Sequence, residues 1–177
     1  MRLSIIVKKI GMLSALVFVM GASAQSVLAQ NSQSVLPQNL DRQNVVSFRG
    51  GIGDISTGST DTTVRGVAAA GQIWVIRDLA ADVGQGGRIR VDGQGLLLGA
   101  GDSVGGNANA RVFATLFCSN DGNVPHSSNP AGVALDVNGD FRIDDTLSPV
   151  PPNPCTSPVL LIRVTGPGSW FAAGIPR

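Results

Sequence analysis

The chain has little of several residue types, and each shortage narrows what the protein can be. Beyond residue 29 it contains no lysine, glutamate or methionine. These residues are strong helix formers that commonly fill exposed helical surfaces, so their absence argues against a helical fold. Beyond the same residue, ten arginines face twelve aspartates, a formal charge of −2. That near balance argues against a nucleic-acid partner, because such a partner calls for a clustered basic surface.

Residues and motifs that commonly carry out catalysis are also few. The only histidine in the sequence, His126, lies in the segment 123–130, whose composition is typical of an exposed loop. No G-x-S-x-G motif places a serine nucleophile near it. We therefore expect no enzyme and interpret His126 as an ordinary surface residue. A small secreted hydrolase, whose aspartates meet through space as in glycosidases, stays open as an alternative.

Two cysteines are present, Cys118 and Cys155. In an oxidising compartment an even number of cysteines usually means a disulfide, so we predict the bond Cys118–Cys155. Ligation of a metal is the alternative. Two isolated cysteines and one distant histidine lack the spacing of a zinc site, and we therefore favour the disulfide.

The N-terminus carries the three parts of a secretory signal peptide in order. Positive charges come first, from Arg2, Lys8 and Lys9. An apolar run at 10–20 and then small residues follow. The apolar run is shorter than the roughly 20 residues that span a bilayer, so we expect cleavage after Ala24 or Ala29 and no membrane span in the mature chain. Residues 1–29 are thus predicted to be a signal peptide, which makes the mature protein secreted or periplasmic.

Short apolar runs alternate with turn residues along most of the mature chain. Residues 30–43 are rich in Gln, Asn and Ser and are predicted to be a flexible lead-in. After them no segment has the helical i, i+3, i+4, i+7 pattern, and many short strands separated by Gly, Pro, Asn and Asp predict a sandwich or small barrel. The predicted strands lie near 44–49, 63–69, 72–79, 88–91, 95–98, 111–118, 133–137, 141–144, 158–165 and 169–173.

Chain length and local patterns give the architecture more detail. A mature chain of about 148 residues can bury one core, so residues 44–177 are predicted to form a single antiparallel β-sandwich domain of jelly-roll or immunoglobulin-like topology. The alternation at 88–92 predicts Ile89 and Val91 inside. Trp74 lies in a run that is apolar on both faces, which indicates a central, covered strand. Trp170 is the candidate ligand contact, because an exposed ring there would offer a stacking platform for sugars.

The segment 135–145 (LDVNGDFRIDD) has the most informative spacing of polar residues. Oxygen-bearing side chains stand at positions 1, 3, 5 and 9 of an EF-hand-type calcium loop. The candidate calcium ligands are Asp136, Asn138, Asp140 and Asp144.

This segment resembles the calcium loop of dockerin domains over about twelve residues, with Ile143 at the usual apolar position. It departs from that pattern at Phe141, where a glycine is usual, and at Leu147, where a bidentate acid usually closes the site. The resemblance implies a calcium-dependent interaction module. Calcium is the one cofactor that the sequence suggests.

A β-hairpin is the alternative interpretation of the same segment. A three-residue loop centred on Gly139, with that glycine at positive φ, pairs Val137 with Phe141 and Leu135 with Ile143. Apolar side chains then meet across the strands without any ion. We favour the hairpin for this reason.

Together these features favour an exported, non-catalytic domain that binds a ligand or builds surface structure outside the cytoplasm. A glycan or a protein at the cell surface is the expected class of partner. The calcium-dependent module at 136–145 and the small hydrolase are the alternatives.

Overall fold

The alternating apolar pattern of the sequence becomes a series of short strands in the computed structural model, which describes residues 44–55 and 62–177. The predicted signal peptide, its cleavage sites and the lead-in at 30–43 lie outside these residues. Within them there is no α-helix, and every pair of named strands is antiparallel. The strands are β1 (Asn44–Gly53), β2 (Trp74–Val75), β3 (Asp78–Gly84), β4 (Arg88–Gln94), β5 (Leu97–Leu98), β6 (Arg111–Phe117), β7 (His126–Ser127), β8 (Val133–Ala134), β9 (Phe141–Thr146), β10 (Val159–Val164) and β11 (Trp170–Pro176).

Nine of these strands form one sheet in the order β7-β6-β10-β11-β1-β3-β4-β9, with β8 also paired to β6. The sheet closes on itself, because Ser148, just after β9, exchanges two backbone hydrogen bonds with Ser127 of β7 at 2.8 and 3.0 Å. Closure satisfies backbone groups that would otherwise form exposed edges. Strands β2 and β5 form a separate two-stranded sheet. The antiparallel all-β prediction is confirmed, and most of its strands belong to this one sheet.

The closed sheet encloses the main apolar core, and a second, smaller cluster of Phe117, Leu161 and Trp170 is separate from it. Side chains alternate along each strand, so that Ile89 and Val91 are fully buried while Arg88 and Arg90 are exposed, as the sequence predicts. Burying a large aliphatic side chain contributes about 1.5–3 kcal/mol. The largest fully buried side chains are Phe48, Leu79, Val83, Ile89, Val91, Leu96, Val112, Leu116, Leu147, Leu160, Leu161 and Ile162.

Trp74 is part of this core, as predicted, and its ring stacks on Phe171 with centroids 3.9 Å apart. The covered central strand predicted around it is wrong. The run 72–79 divides into β2, which pairs only with β5, and the start of β3. Val75 is 47% exposed, because a short strand of an outlying sheet has one free face.

Other predicted strands differ from the observed ones in where they end or in whether they form a continuous strand. The predicted strand at 63–69 makes only isolated bridges, one of which joins Val64 to Val67. The predicted strand at 133–137 ends at Ala134. Two pieces were not predicted: β7, which has no β-branched residue, and the continuation of β3 as far as Gly84, in which Val83 is the only β-branched residue.

The predicted disulfide is confirmed: Cys118 and Cys155 are bonded, with their Cα atoms 5.1 Å apart. Such bonds persist mainly in oxidising compartments. In the ranges 44–55 and 62–177, no helix has the length and apolar character needed to traverse a membrane.

Candidate functional site

Among the described residues, the three acids of the predicted calcium loop do not form one group of metal ligands. Asp144 lies in β9, where its carboxylate oxygens accept hydrogen bonds from Arg88 at 2.9 Å and from Arg90 at 3.0 Å. Asp136 and Asp140 lie in the turn that precedes β9. A calcium site needs six to eight oxygens that face one ion, and a carboxylate held by two arginines is not directed at such a centre.

The other acids of the segment are engaged by backbone groups. Asp136 Oδ1 accepts hydrogen bonds from the backbone N–H groups of Asn138 and Asp140 at 2.8 and 2.9 Å, a typical Asx arrangement that stabilises a turn. Asp140 Oδ1 accepts from the N–H of Gly95 at 2.8 Å and lies 3.6 Å from an Arg77 nitrogen. In this structure these acids therefore shape the turn, and calcium binding by this segment stays a prediction.

The register of the favoured hairpin is wrong, although the turn itself forms, with Asp136 N–H donating to the oxygen of Asp140 at 3.0 Å, and its glycine is confirmed at positive φ, with φ of 77° at Gly139. Strand β9 pairs with β4, which sets Ile143 opposite Val91 and Phe141 opposite Gly93. Val137 is 81% exposed instead of facing Phe141. Strand β9 pairs with β4 because β4 presents a full alternating row of buried side chains to it. The chain before Gly139 instead turns toward Ala110, whose backbone oxygen accepts a hydrogen bond from the N–H of Leu135.

Arginine and aspartate alternate across the outer face of the sheet. Arg90 of β4 lies directly between Asp82 of β3 and Asp144 of β9 in the strand register. The hydrogen bond from Arg90 lowers the pKa of Asp144 from its ordinary value, and the charges of Arg88 and Arg90 act in the same direction against partial desolvation. Opposite charges in directly facing positions stabilise a sheet.

We predict that Asp144→Asn lowers stability at neutral pH and that this difference shrinks in acid. A carboxyl whose pKa is depressed in the folded state contributes stability above its unfolded pKa of about 4, and loses it as the pH falls through the folded pKa. The measurement is the urea midpoint of both proteins at pH 7 and below pH 3. Asp102→Asn is the control, because Asp102 makes no ion pair with any described residue. A difference that is the same at both pH values would contradict the prediction.

Three side chains of metal-ligand type meet where the sheet closes. Cys118 follows β6, Asp121 ends a short 3-10 turn at Ser119–Asp121, and His126 begins β7. One ligand atom from each residue lies within 4.8 Å of the others. The turn reverses the chain between β6 and β7, which places the histidine beside the cysteine.

His126 is not the surface residue that its loop composition predicts. Its side chain is only 3% exposed, because β7 lies against β6 and the loop after β9 covers it. Nδ1 lies 2.8 Å from the backbone oxygen of Pro149, and Nε2 lies 2.5 Å from Asp121 Oδ2. A carbonyl oxygen can only accept, so Nδ1 carries a proton and Nε2 faces the carboxylate.

Sequence reasoning missed this cluster because it treated His126 as distant from the cysteines. The signal that would have found it is the compact spacing C-x₂-D-x₄-H from Cys118 to His126. Aspartate is a recognised zinc ligand, but without a fold its oxygen cannot be assigned to a site. In the oxidised chain the sulfur of Cys118 is committed to the disulfide.

A cleft of about 590 Å³, lined by polar and apolar groups in similar amounts, lies beside β5. Its lining includes Leu98, which is buried, and the side chains of Gln72, Asp102 and Ser103, which make no hydrogen bond or ion pair to the described residues. Asn107 also lines it and is fixed in place, donating from Nδ2 to the backbone oxygen of Asp136 at 2.7 Å and accepting at Oδ1 from the N–H of Asn109.

Trp170, the predicted ligand contact, lies elsewhere. It is buried with Phe117 and Leu161 on the outer side of the sheet, under Val64, Val67 and Ala69. Its indole N–H donates to the backbone oxygen of Thr62 at 2.9 Å. The ring is therefore covered by the chain itself and offers no exposed face for a sugar in this structure.

Comparison of the chain with protein-family models, with curated proteins and with solved structures finds no match. Its function is therefore argued from the chemistry of its own residues.

Proposed function

We propose that the mature chain acts outside the cytoplasm as a non-catalytic domain that binds a glycan in the cleft beside β5. The observation that carries the proposal is the lining of that cleft. Gln72, Asp102 and Ser103 present an amide, a carboxylate and a hydroxyl that no described residue engages. Ligand sites combine apolar surface with a few polar groups that fix orientation, and Leu98 provides apolar surface here.

The chemistry of these groups favours a neutral, hydroxyl-rich ligand. Amide and hydroxyl side chains both donate and accept hydrogen bonds, as sugar hydroxyls do. The lining contains no arginine or lysine, so a phosphate or another anion would have no opposite charge to meet. A single carboxylate is a strong acceptor for paired hydroxyls and does not demand a cationic ligand.

The absence of a second acid in the lining supports binding without hydrolysis. Glycosidases use two carboxylates, separated by about 5–9.5 Å, that flank the scissile bond. Among the residues that line the cleft, Asp102 is the only acid. The one histidine is buried at the closure of the sheet, so it supplies no general base to the cleft.

Export is the second part of the proposal and rests on the N-terminal sequence pattern and on the disulfide. Expression of the full chain in a bacterium should yield mature protein whose first residue is Gln25 or Gln30, measured by intact mass and N-terminal sequencing of the periplasmic fraction and the medium. Uncleaved protein retained in the cytoplasm would contradict this part.

Binding is tested by titrating isotope-labelled mature protein with a panel of neutral oligosaccharides while recording amide chemical shifts. We expect shifts to concentrate at 98–108, and Asp102→Ala and Gln72→Ala each to weaken the affinity at least tenfold, since each removes a polar contact worth about 1.4 kcal/mol or more to the ligand. Asp144→Asn, outside the cleft, should bind as the parent does.

Two results would overturn the proposal. One is that no member of the panel binds, and the other is that binding survives both cleft substitutions. Release of reducing ends from the same panel, abolished by a single Asp substitution, would instead establish the hydrolase alternative.

A further inference from the structure

We propose that the chain with reduced cysteines binds one zinc ion through Cys118, Cys155, Asp121 and His126. The disulfide brings both sulfurs to one place, with the Cα atoms 5.1 Å apart. Ligand atoms of Cys118, Asp121 and His126 already lie within 4.8 Å of one another. Reduction would turn both sulfurs into thiolates and would add Cys155, whose sulfur is bonded to that of Cys118, as the fourth donor at the closure of the sheet.

This donor set matches what zinc requires. Zinc takes four ligands in a tetrahedral arrangement and accepts thiolate sulfur, imidazole nitrogen and carboxylate oxygen together. Calcium and magnesium prefer oxygen alone, so two thiolates and an imidazole select against them. The site differs in this respect from the acidic segment 136–145, which has only oxygen donors.

The ring of His126 is held in the orientation that a metal-binding histidine usually has. A metal-binding histidine usually donates its second ring N–H to a backbone carbonyl or a carboxylate, which fixes the tautomer. Here Nδ1 donates to the oxygen of Pro149 at 2.8 Å. Nε2 therefore faces Asp121 Oδ2, on the same side as Cys118, and is the ring nitrogen left to bind an ion once its contact with the carboxylate is given up.

A modest local movement completes the geometry. Nε2 and Asp121 Oδ2 are 2.5 Å apart, whereas two donors about 2.0–2.1 Å from a tetrahedral zinc stand roughly 3.3 Å apart. Asp121 lies at the end of an exposed turn, and its side chain is 20% accessible. A shift of its carboxylate by about 1 Å would reach the zinc geometry, and this carboxylate is more accessible to solvent than the His126 ring.

Zinc and the disulfide are alternative states of the same sulfurs. A dithiol reductant breaks the S–S bond, each sulfur gains one electron and one proton, and the reductant becomes a disulfide. Zinc then displaces both thiol protons to form two Zn–S bonds. A newly made chain starts with both cysteines as thiols, so zinc can bind before oxidation without any reductant, and its binding competes with disulfide formation.

The test uses the full mature chain, reduced with a dithiol that is then removed under nitrogen, and Co²⁺ as a spectroscopic substitute for Zn²⁺. We expect one equivalent of Co²⁺ to give the intense visible bands of tetrahedral coordination and a sulfur-to-cobalt charge-transfer band, both lost on adding Zn²⁺. The oxidised chain should show neither. Zn²⁺ affinity is then measured by competition with a chromophoric chelator.

Variants separate this site from simple thiol binding. His126→Asn keeps an amide that can donate to Pro149 but has no atom at Nε2, and Asp121→Asn keeps the hydrogen bond to His126 while removing the charge. Each should weaken Zn²⁺ binding at least tenfold. Asp144→Asn, which removes a carboxylate in β9 outside the site, is the matched control and should not change the affinity.

Three results would overturn the proposal. The first is reduced protein that gives no tetrahedral cobalt spectrum. The second is an unchanged affinity in both His126→Asn and Asp121→Asn, which would mean that the thiols alone bind the ion. The third is a zinc-loaded chain whose amide spectrum lacks the dispersion of a folded protein, which would mean that zinc binds the unfolded chain.

Discussion

Removal of the disulfide between Cys118 and Cys155 is expected to lower the free energy of unfolding by roughly 4 kcal/mol. The bond joins residues 37 positions apart, and in the chain-entropy account closing a loop of that length removes about this much freedom from the unfolded chain. The location adds to the effect, since both cysteines are buried within the hydrophobic core and their sulfurs are lost from its packing. A loss of this size is a large part of the stability of an ordinary domain, about 5–15 kcal/mol.

Polar contacts also hold together the two chain segments that the disulfide joins, and these segments form a junction. The backbone N–H of Ser119 donates to the oxygen of Thr156 at 2.8 Å, and the amide of Asn120 donates to the oxygen of Pro154 at 2.9 Å. These bonds join the turn after β6 to the segment before β10. We expect this junction to open first when the disulfide is absent, which would appear as faster hydrogen exchange at 118–128 than in β4.

The measurement is urea unfolding of the double variant Cys118→Ala/Cys155→Ala and of the oxidised parent, both in the presence of a chelator. The parent treated with a reductant should behave like the double variant, and the reductant should not affect the double variant. A difference below about 1 kcal/mol would show that the unfolded chain gains little freedom or that the oxidised bond does not form. If the zinc site exists, adding Zn²⁺ to the reduced parent should recover part of the loss, whereas the double variant should recover none.

Local alternation was enough to predict the strands that have one buried and one exposed face. In β4 the alternation of arginine with Ile89 and Val91 leaves a single arrangement that buries both aliphatic side chains. Cysteine number and the expected compartment predicted the disulfide in the same way. Both inferences use information within a few residues or in the composition of the whole chain.

Partnership between distant strands was not predictable from such local information. Strand β9 pairs with β4, about 50 residues earlier in the chain, although a hairpin with its immediate neighbour also satisfies local rules. Which pairing prevails depends on how completely each partner row is buried, a property of the assembled sheet. The separation of β2 from β3 has the same origin, because only the fold decides which apolar runs are covered on both sides.

The candidate sites show the same difference between what the local sequence reveals and what only the assembled fold decides. The spacing of acids at 136–145 was visible in the sequence, but the arginines that engage Asp144 come from β4 and could not be placed beside it. Conversely, His126 lies in a segment with loop composition and becomes a buried strand residue because the sheet closes there. Electrostatic partners and burial are set by strand register, so the chemistry of a carboxylate or an imidazole follows from the fold and not from its neighbours in sequence.

The turn before β9 connects the acidic segment 136–145 with the proposed glycan cleft. Asn107, which lines the proposed glycan cleft, is held by the backbone oxygen of Asp136, and Gly139 in the same turn accepts a hydrogen bond from the N–H of Leu96 at 2.9 Å. The acids that resemble a calcium loop thus support the wall of the cleft. A change that displaces this turn should therefore affect both stability and ligand binding.

Gly139→Ala is expected to lower the free energy of unfolding by about 3 kcal/mol or more. Gly139 has a φ of 77°, a conformation that costs a residue with a side chain about 1–2 kcal/mol. A Cβ atom there would lie 2.4 Å from the oxygen and 2.7 Å from the nitrogen of Leu96. These are backbone atoms of a buried residue, so the clash is relieved only by moving the turn and breaking the Gly139–Leu96 hydrogen bond.

Gly86→Ala is the matched control, because it introduces the strain of the left-handed conformation without a clash. The difference between the two variants therefore measures the clash at Gly139. Gly86 has a φ of 76°, yet a Cβ atom there would meet nothing within 4 Å. We expect it to lose only about 1 kcal/mol, measured as a difference in urea midpoint at constant m-value. Equal losses in the two variants would mean that the turn is free to move away from Leu96. In that case Asn107 would not be held in place through this turn, and the proposed cleft would lack a fixed wall.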